Sequence, residues 1–283
     1  MGYLLLAVTS ALLLGIWKFG LSLYRGKVSP YAVLLVSASA AGFAYLALGT
    51  WQGTLAFDVR DAPEGLLGGA LNFAGTLLIL KSFARGKVGV AVGVAATYVL
   101  VPLAYSFYLG ESLSMRAVIG VAVLMVGLGA FYAPTVRTRG LADATATPVP
   151  ILMAGGAAIF WGAAIVVLNL GSRVSVTGTL ATSQIPQVAI AGTVLVLSWD
   201  RSRAGLNPQA IAVLVGSGLA LALGNTAFFT AANEGNIGVV SVLGSLSPIV
   251  TALLAAALLR ERLTRTDRIA FAIVLLGTVL IVA

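Results

Sequence analysis

FARGKVGV (residues 83–90) returns, loosely spelled, as ANEGNIGV (residues 232–239). Gly86 falls on Gly235, Gly89 on Gly238 and Val90 on Val239, each 149 positions further on. The register continues downstream. YLGESLS (108–114) faces LLRERLT (258–264), which sets Glu111 on Glu261, and Gly127 falls on Gly277, both at an offset of 150. Upstream, Gly15 falls on Gly162 at an offset of 147. Each match is weak by itself. An offset held this nearly constant along half the chain marks an internal duplication, which bears on the whole architecture and not on one motif.

The duplicated unit is apolar. Of 283 residues, 59% are hydrophobic and 9% charged, against about 25% charged in soluble domains. The mean hydropathy is +1.04. So few charges cannot cover a soluble domain of this length, and lipid is the natural solvent. The chain has no cysteine and no histidine. That excludes disulfides, thiolate metal sites, the commonest general base and the usual neutral-pH switch. The formal net charge of +8 then reads as basic loops at a membrane surface, not as a nucleic-acid footprint.

A helix needs about 20 apolar residues to cross the hydrocarbon core. Ten segments answer to that: 3–23, 31–50, 65–84, 87–109, 115–133, 150–171, 178–198, 209–232, 236–259 and 267–283. The expected fold is therefore all-α and polytopic, with ten transmembrane helices. The longest break, APTVRTRGLADATATPVP (133–150), is rich in Pro and Thr and reads as a linker. It separates a first repeat (1–133) from a second (150–283), with 134–149 between them. Five helices is an odd number, so two consecutive copies enter the membrane from opposite sides. Such inverted repeats characterise transporters whose substrate site lies near the midplane. Two halves fused only for stability is the plainer alternative.

The N-terminal segment lacks a basic leader and has a counterpart in the second half, so it is expected to belong to the fold and not to be a signal peptide. Basic residues set the orientation. Arg25, Lys27, Lys81, Arg85, Lys87, Arg137, Arg139, Arg201, Arg203, Arg260, Arg262, Arg265 and Arg268 follow odd-numbered segments, whereas only Arg60, Arg116 and Arg173 follow even-numbered ones. The first set is expected in the cytoplasm, which leaves both termini outside.

Polar residues inside the segments are the site candidates. Gln184 and Gln187 are three apart and share a helix face. Pro186 between them frees the carbonyl of Thr182 from its helical bond. They read either as a solute site or as interhelical hydrogen-bond partners. Asn225 falls on Thr76 at an offset of 149, and Asn72 lies one turn before Thr76. Tyr98 is a further candidate, as are Ser241, Ser245 and Ser247 beside Pro248, although a serine can also bond its own backbone. Trp17 and Trp161 lie at similar depth in the first segment of each half. Trp161 is ~17 Å into its helix at 1.5 Å per residue, too deep for an interfacial belt, whereas Trp51 and Trp199 suit one. The GxxxG patterns in GLLGG (65–69) and GVAVG (89–93) read first as close helix packing.

No Asp or Glu lies deep in a segment, whereas proton-driven pumps commonly place carboxylates there. A facilitator or exchanger is favoured on that ground. An intramembrane enzyme would need a nucleophile, an acid–base pair or a metal, and none can be assembled from these segments. A channel remains a weaker alternative.

The chain resembles the drug/metabolite transporter superfamily, in particular members built from two EamA domains. The carrying residues are Gly15, FWG (160–162), LKSFARGKVGV (80–90), TAANEGNIGVVSVLGSLSPIVTALLAAALLRERLT (230–264), Gly127 and Gly277. In the first half, Pro102 is displaced from the place that matches Pro248. The resemblance implies a basket made of segments 1–4 and 6–9 around a central cavity, braced by segments 5 and 10. It also implies transport of amino acids, nucleosides, sugars or amphipathic metabolites, most often export. Many such proteins keep both termini inside, from which the basic-residue count of this chain departs. The expected activity is export of small metabolites, such as amino acids or related amphipathic solutes, by alternating access. A uniporter or exchanger for sugars, nucleosides or phosphorylated metabolites is the alternative. No cofactor, metal or nucleic-acid partner is expected, the bilayer and a small solute are, and an oligomer is not required.

Lys18, in GIWKFG (15–20), is the one intramembrane charge clearly within a segment. It lies ~10 Å deeper than Arg25 at 1.5 Å per residue. Its stem can snorkel over part of that distance. Otherwise the ammonium faces the cavity beside Trp17 and holds an anionic group of the solute.

Overall fold

The computed structural model describes residues 2–24, 27–55, 62–85, 94–111, 114–139, 149–198, 206–258 and 265–282. The first half forms α1 (Gly2–Leu23), α2 (Pro30–Gln52), α3 (Ala62–Arg85), a short 3-10 helix (Ala96–Val99) that runs into α4 (Leu100–Tyr108), and α5 (Met115–Arg139). The second half forms α6 (Val149–Ser172), α7 (Val176–Leu197), α8 (Pro208–Glu234), α9 (Ile237–Gly244), α10 (Ser247–Leu258) and α11 (Arg265–Val282).

Local chemistry sets the helix boundaries. Pro30 and Pro208 open α2 and α8, where a missing N–H costs nothing. Ser175, Asn207 and Asn236 cap α7, α8 and α9 by accepting from the N–H of Gly178, Ala210 and Val239 at 3.0, 2.7 and 2.9 Å. Gly53 closes α2 at φ 65°, a left-handed conformation that glycine adopts without a Cβ penalty.

Among the described residues, six helices are long and apolar enough to cross a membrane: Gly2–Leu23, Pro30–Gln52, Ala62–Ser82, Val149–Ser172, Val176–Leu197 and Pro208–Glu234. The chain is an all-α, polytopic, multi-pass membrane protein, but the expectation of ten transmembrane helices is overturned. The segment 236–259 is not one helix. Proline has no N–H to donate to the carbonyl four residues back, so Pro248 interrupts the helix at Gly244. Ser245 and Leu246 turn, and α10 starts afresh at Ser247. In the segment 87–109, the described part is the 3-10 helix followed by the nine residues of α4. The segments 115–133 and 267–283 keep only the shorter apolar stretches Val118–Gly127 and Ala272–Ile281 among their described residues. Helix α11 spends its first turn on Arg265, Asp267 and Arg268, which shortens its apolar length.

The helices pair across the two halves. α1 lies on α8 and α3 on α6; α2 meets α7 and α5 meets α11. α1 also contacts α10, and α6 contacts the 96–108 stretch, while α3 contacts α7 and α8 contacts α2. Exchanging first-half elements for their second-half counterparts turns this set of pairings into itself. Close approaches repeat the pattern. A Cβ on Gly15 would stand 2.5 Å from Val250 Cβ and 2.8 Å from the Ser247 carbonyl oxygen. One on Gly162 would stand 2.6 Å from Val101 Cβ and 2.8 Å from the Tyr98 carbonyl oxygen. Tyr98 and Ser247, and likewise Val101 and Val250, are 149 positions apart. Gly127 abuts Val274, and Gly277 abuts Leu124, at 2.7 and 2.5 Å by the same measure.

The matches that first disclosed the repeat are only half visible here: Gly86, Gly89, Val90 and Glu261 lie outside the described residues, as do the GVAVG pattern (89–93), Trp199 and most of the stretch 134–149. The other GxxxG packs as its spacing predicts: a Cβ on Gly65 would stand 2.8 Å from Thr182 Cβ, and one on Gly69 would run into the Ser183 carbonyl. Trp51 is 83% exposed near the end of α2.

Hydrogen bonds identify the two ends of the bundle. Ser175 Oγ donates to the Thr54 carbonyl at 2.8 Å, joining the end of α2 to the start of α7. At the opposite end Ser82 Oγ donates to the Pro150 carbonyl at 2.8 Å, joining the end of α3 to the start of α6.

Candidate functional site

A cavity of about 80 Å³ lies between the halves, lined by Leu14, Trp17, Lys18, Asn72, Tyr98, Trp161, Ala164, Ile165, Leu168, Ser183, Gln184, Leu221, Asn225 and Phe229. α1, α3 and the 3-10 helix supply one set of walls, and α6, α7 and α8 the other. The volume has room for a small solute or a few waters.

Lys18 points into this space and does not snorkel. Its Nζ donates to Ser247 Oγ at 2.7 Å. It also stands 5.8 Å from the centroid of the Trp161 ring and 6.0 Å from that of Tyr98. Each ring face contributes about 0.5–2 kcal/mol of cation–π attraction, according to how far the ammonium is desolvated. The rings meet edge to face, with centroids 6.3 Å apart at 90°. Trp161 is held in that pose by its Nε1–H, which donates to Thr76 Oγ1 at 3.1 Å, and Thr76 Oγ1 donates in turn to the Asn72 carbonyl at 2.8 Å.

On the opposite wall the amides form a ladder. Asn72 Nδ2 donates to Gln187 Oε1 at 3.4 Å, and Gln187 Nε2 to Gln184 Oε1 at 3.1 Å. Gln184 Nε2 ends the ladder on Ser183 Oγ at 2.9 Å. α7 runs unbroken through Pro186. Gln187 bonds α3 to α7, while Gln184 lines the cavity. Asn225 Nδ2 donates to Tyr45 Oη at 3.2 Å, which fixes its amide plane beside the cavity.

Of the residues singled out in the sequence, Trp17, Lys18, Asn72, Tyr98, Trp161, Gln184 and Asn225 line the cavity. Thr76 and Gln187 stand directly behind them, each bonded to a lining side chain. Ser245 is buried and does not line it; its hydroxyl donates to the Val242 carbonyl. Ser247, two residues on, meets Lys18 instead. The sequence carried a signal for it, since Ser247 falls on Tyr98 at the repeat offset. The same mapping finds the apolar lining: Leu14 falls on Trp161, Trp17 on Ala164 and Lys18 on Ile165 at 147, and Asn72 on Leu221 at 149. The frame is two-fold while its chemistry is not, because the position of Lys18 is Ile165 in the other half.

Among the described residues no cluster of three or more His, Cys, Asp or Glu side chains is placed to hold a metal ion.

The sequence model of the EamA-like transporter family matches residues 149–283. The match covers the second half of the chain and stops short of the first. General small-molecule transport across a membrane is consistent with that match and with the fold. A solved structure described as a crystal structure of a protein is 18% identical and superposes on 98% of this chain and 95% of its own with a TM-score of 0.82. At that identity the likeness concerns the fold, and it extends the fold through the first half. No functionally curated protein matches the chain.

Proposed function

We propose that the chain is a carrier of small metabolites, such as amino acids or related amphipathic solutes, working by alternating access around the cavity between its halves. The observation that carries this reading is a cavity walled by both halves and holding one ammonium, Lys18, among aromatic and amide side chains. A site between two related halves can be opened to either side by rocking one against the other. In this reading 1–133 and 150–283 are the two repeats and 134–149 joins them. Trp17, Lys18, Asn72, Tyr98, Trp161, Gln184 and Asn225 contact the solute, and Thr76 and Gln187 position them. The exposed ends of basic character, at Lys27 and Arg85, face the cytoplasm of a cell (inner) membrane. Both termini then lie outside, and net transport runs outward.

Purified protein in liposomes tests this. Counterflow of a labelled solute that saturates with concentration is the expected result. Ion conductance without saturation, or chemical conversion of the solute, would overturn it.

A further inference from the structure

We propose that the cavity selects small monocarboxylates with an uncharged, apolar tail, and that Lys18 takes the carboxylate. Charge decides the class. Among the described residues, Lys18 is the single charged side chain that lines the cavity, and no carboxylate lines it there. A buried ammonium without an opposite charge is costly in a low-dielectric interior. In the empty cavity a neutral hydroxyl and two ring faces compensate it only in part. An anion that enters completes the pair, so differential affinity for anions is built into the site.

Uncommitted donors point the same way. Lys18 has three N–H bonds and gives one to Ser247. Trp17, its neighbour in the chain, lines the cavity, and its Nε1–H is buried with no partner. The Tyr98 hydroxyl makes no hydrogen bond among the described residues. A carboxylate has two oxygens with about four acceptor sites and suits such a set of donors. The glutamine acceptors, in contrast, are engaged. Gln184 Oε1 and Gln187 Oε1 already accept from Gln187 and Asn72. An amino-acid ammonium would meet no carboxylate here and would sit near Lys18, a like charge. A phosphate dianion would find one lysine and no arginine among the lining residues. Leu14, Ile165, Leu168, Leu221 and Phe229 form the rest of the wall and fit a short hydrocarbon tail. This inference rests on the carrier reading above only for the transport arm of its test, and within that reading it narrows the solutes to those without an ammonium, which sets amino acids aside.

Three compounds with one carbon skeleton separate the charge states: 4-methyl-2-oxopentanoate (anion), leucine (zwitterion) and 4-methylpentanamide (neutral). Thermal unfolding of the purified protein is followed with each compound at pH 7. The oxo acid is expected to raise the midpoint, and the other two to leave it unchanged. Lys18→Met should weaken the oxo acid roughly ten- to hundredfold, the loss expected of one charge-assisted hydrogen bond, and Lys18→Arg should retain most of the binding. Equal or greater stabilisation by leucine or the amide overturns the proposal, as does oxo-acid binding that survives Lys18→Met, or no response to the oxo acid at all. The wild-type comparison stands even if Lys18→Met does not fold. Counterflow of the same compounds keeps the two readings apart. Lys18-dependent binding without exchange defeats the carrier and leaves the site, whereas exchange of leucine without the oxo acid leaves the carrier and defeats the site.

Discussion

Lys18 Nζ donates to Ser247 Oγ across 2.7 Å, so the one charge in the cavity is tied to the first residue of a helix that exists only because Pro248 interrupts its predecessor. The hydroxyl orients the ammonium between Tyr98 and Trp161. Ser247→Ala removes the acceptor and leaves the ammonium with the two ring faces alone. A hydrogen bond to a charged group contributes about 1.5–3 kcal/mol, so the variant should unfold several degrees earlier and transport more slowly. Ser247→Thr keeps the hydroxyl and should restore most of both. Unchanged midpoint and rate in the alanine variant would mean that Lys18 needs no such anchor.

The Gly15 and Gly162 contacts are the structural core of the pseudo-two-fold arrangement. A methyl on either would stand 2.5–2.8 Å from the neighbouring helix, and relieving such overpacking typically costs about 1–3 kcal/mol. Gly15→Ala and Gly162→Ala should therefore lower the unfolding midpoint by similar amounts. Gly216→Ala in α8 is the control. Nothing lies within 4 Å of a Cβ there, and alanine is favoured over glycine in an exposed helix by up to ~1 kcal/mol. The control should stabilise, and a like response from all three would remove the packing explanation.

The contrast between symmetric frame and asymmetric chemistry also explains what could be read from the sequence. Apolar length, the constant offset and the polar positions within the apolar segments were legible, because each is a one-dimensional pattern. Seven lining residues were found that way. The partner of Lys18 was not, since whether Ser245 or Ser247 faces α1 depends on how far Pro248 rotates the chain. That rotation has no sequence period. The segment 236–259 was misjudged for the same reason. Hydropathy sums over a segment regardless of a break within it, and so it cannot distinguish 22 continuous residues from the eight of α9 and the twelve of α10.

The amide ladder separates a positioning role from a binding role. Gln187→Leu leaves the Asn72 amide without its acceptor, which costs about 1–3 kcal/mol when buried. The variant should unfold earlier, with affinity for a transported solute changed little. Gln184→Leu removes a lining amide and should weaken the solute more than it lowers the midpoint. In Gln184→Ala with Gln187→Ala, unchanged transport of an identified solute would remove the α7 wall from the binding site.

Orientation can be tested cleanly because the chain has no cysteine, so that one introduced thiol is the only target for a label. Thr54 and Lys27 are exposed and lie at the two ends of the bundle. Thr54 follows α2 and sits against the start of α7. Lys27 follows α1 and belongs to the basic end. If that end faces the cytoplasm, Lys27→Cys in intact cells is protected from a membrane-impermeant maleimide until the membrane is opened. Thr54→Cys is modified at once from outside. The reverse pattern would place the basic loops outside and both termini in the cytoplasm, against the Lys/Arg bias. Labelling of both positions from one side would require that the two ends not lie across the bilayer from each other, which the antiparallel pairing of α2 with α7 and α3 with α6 does not permit.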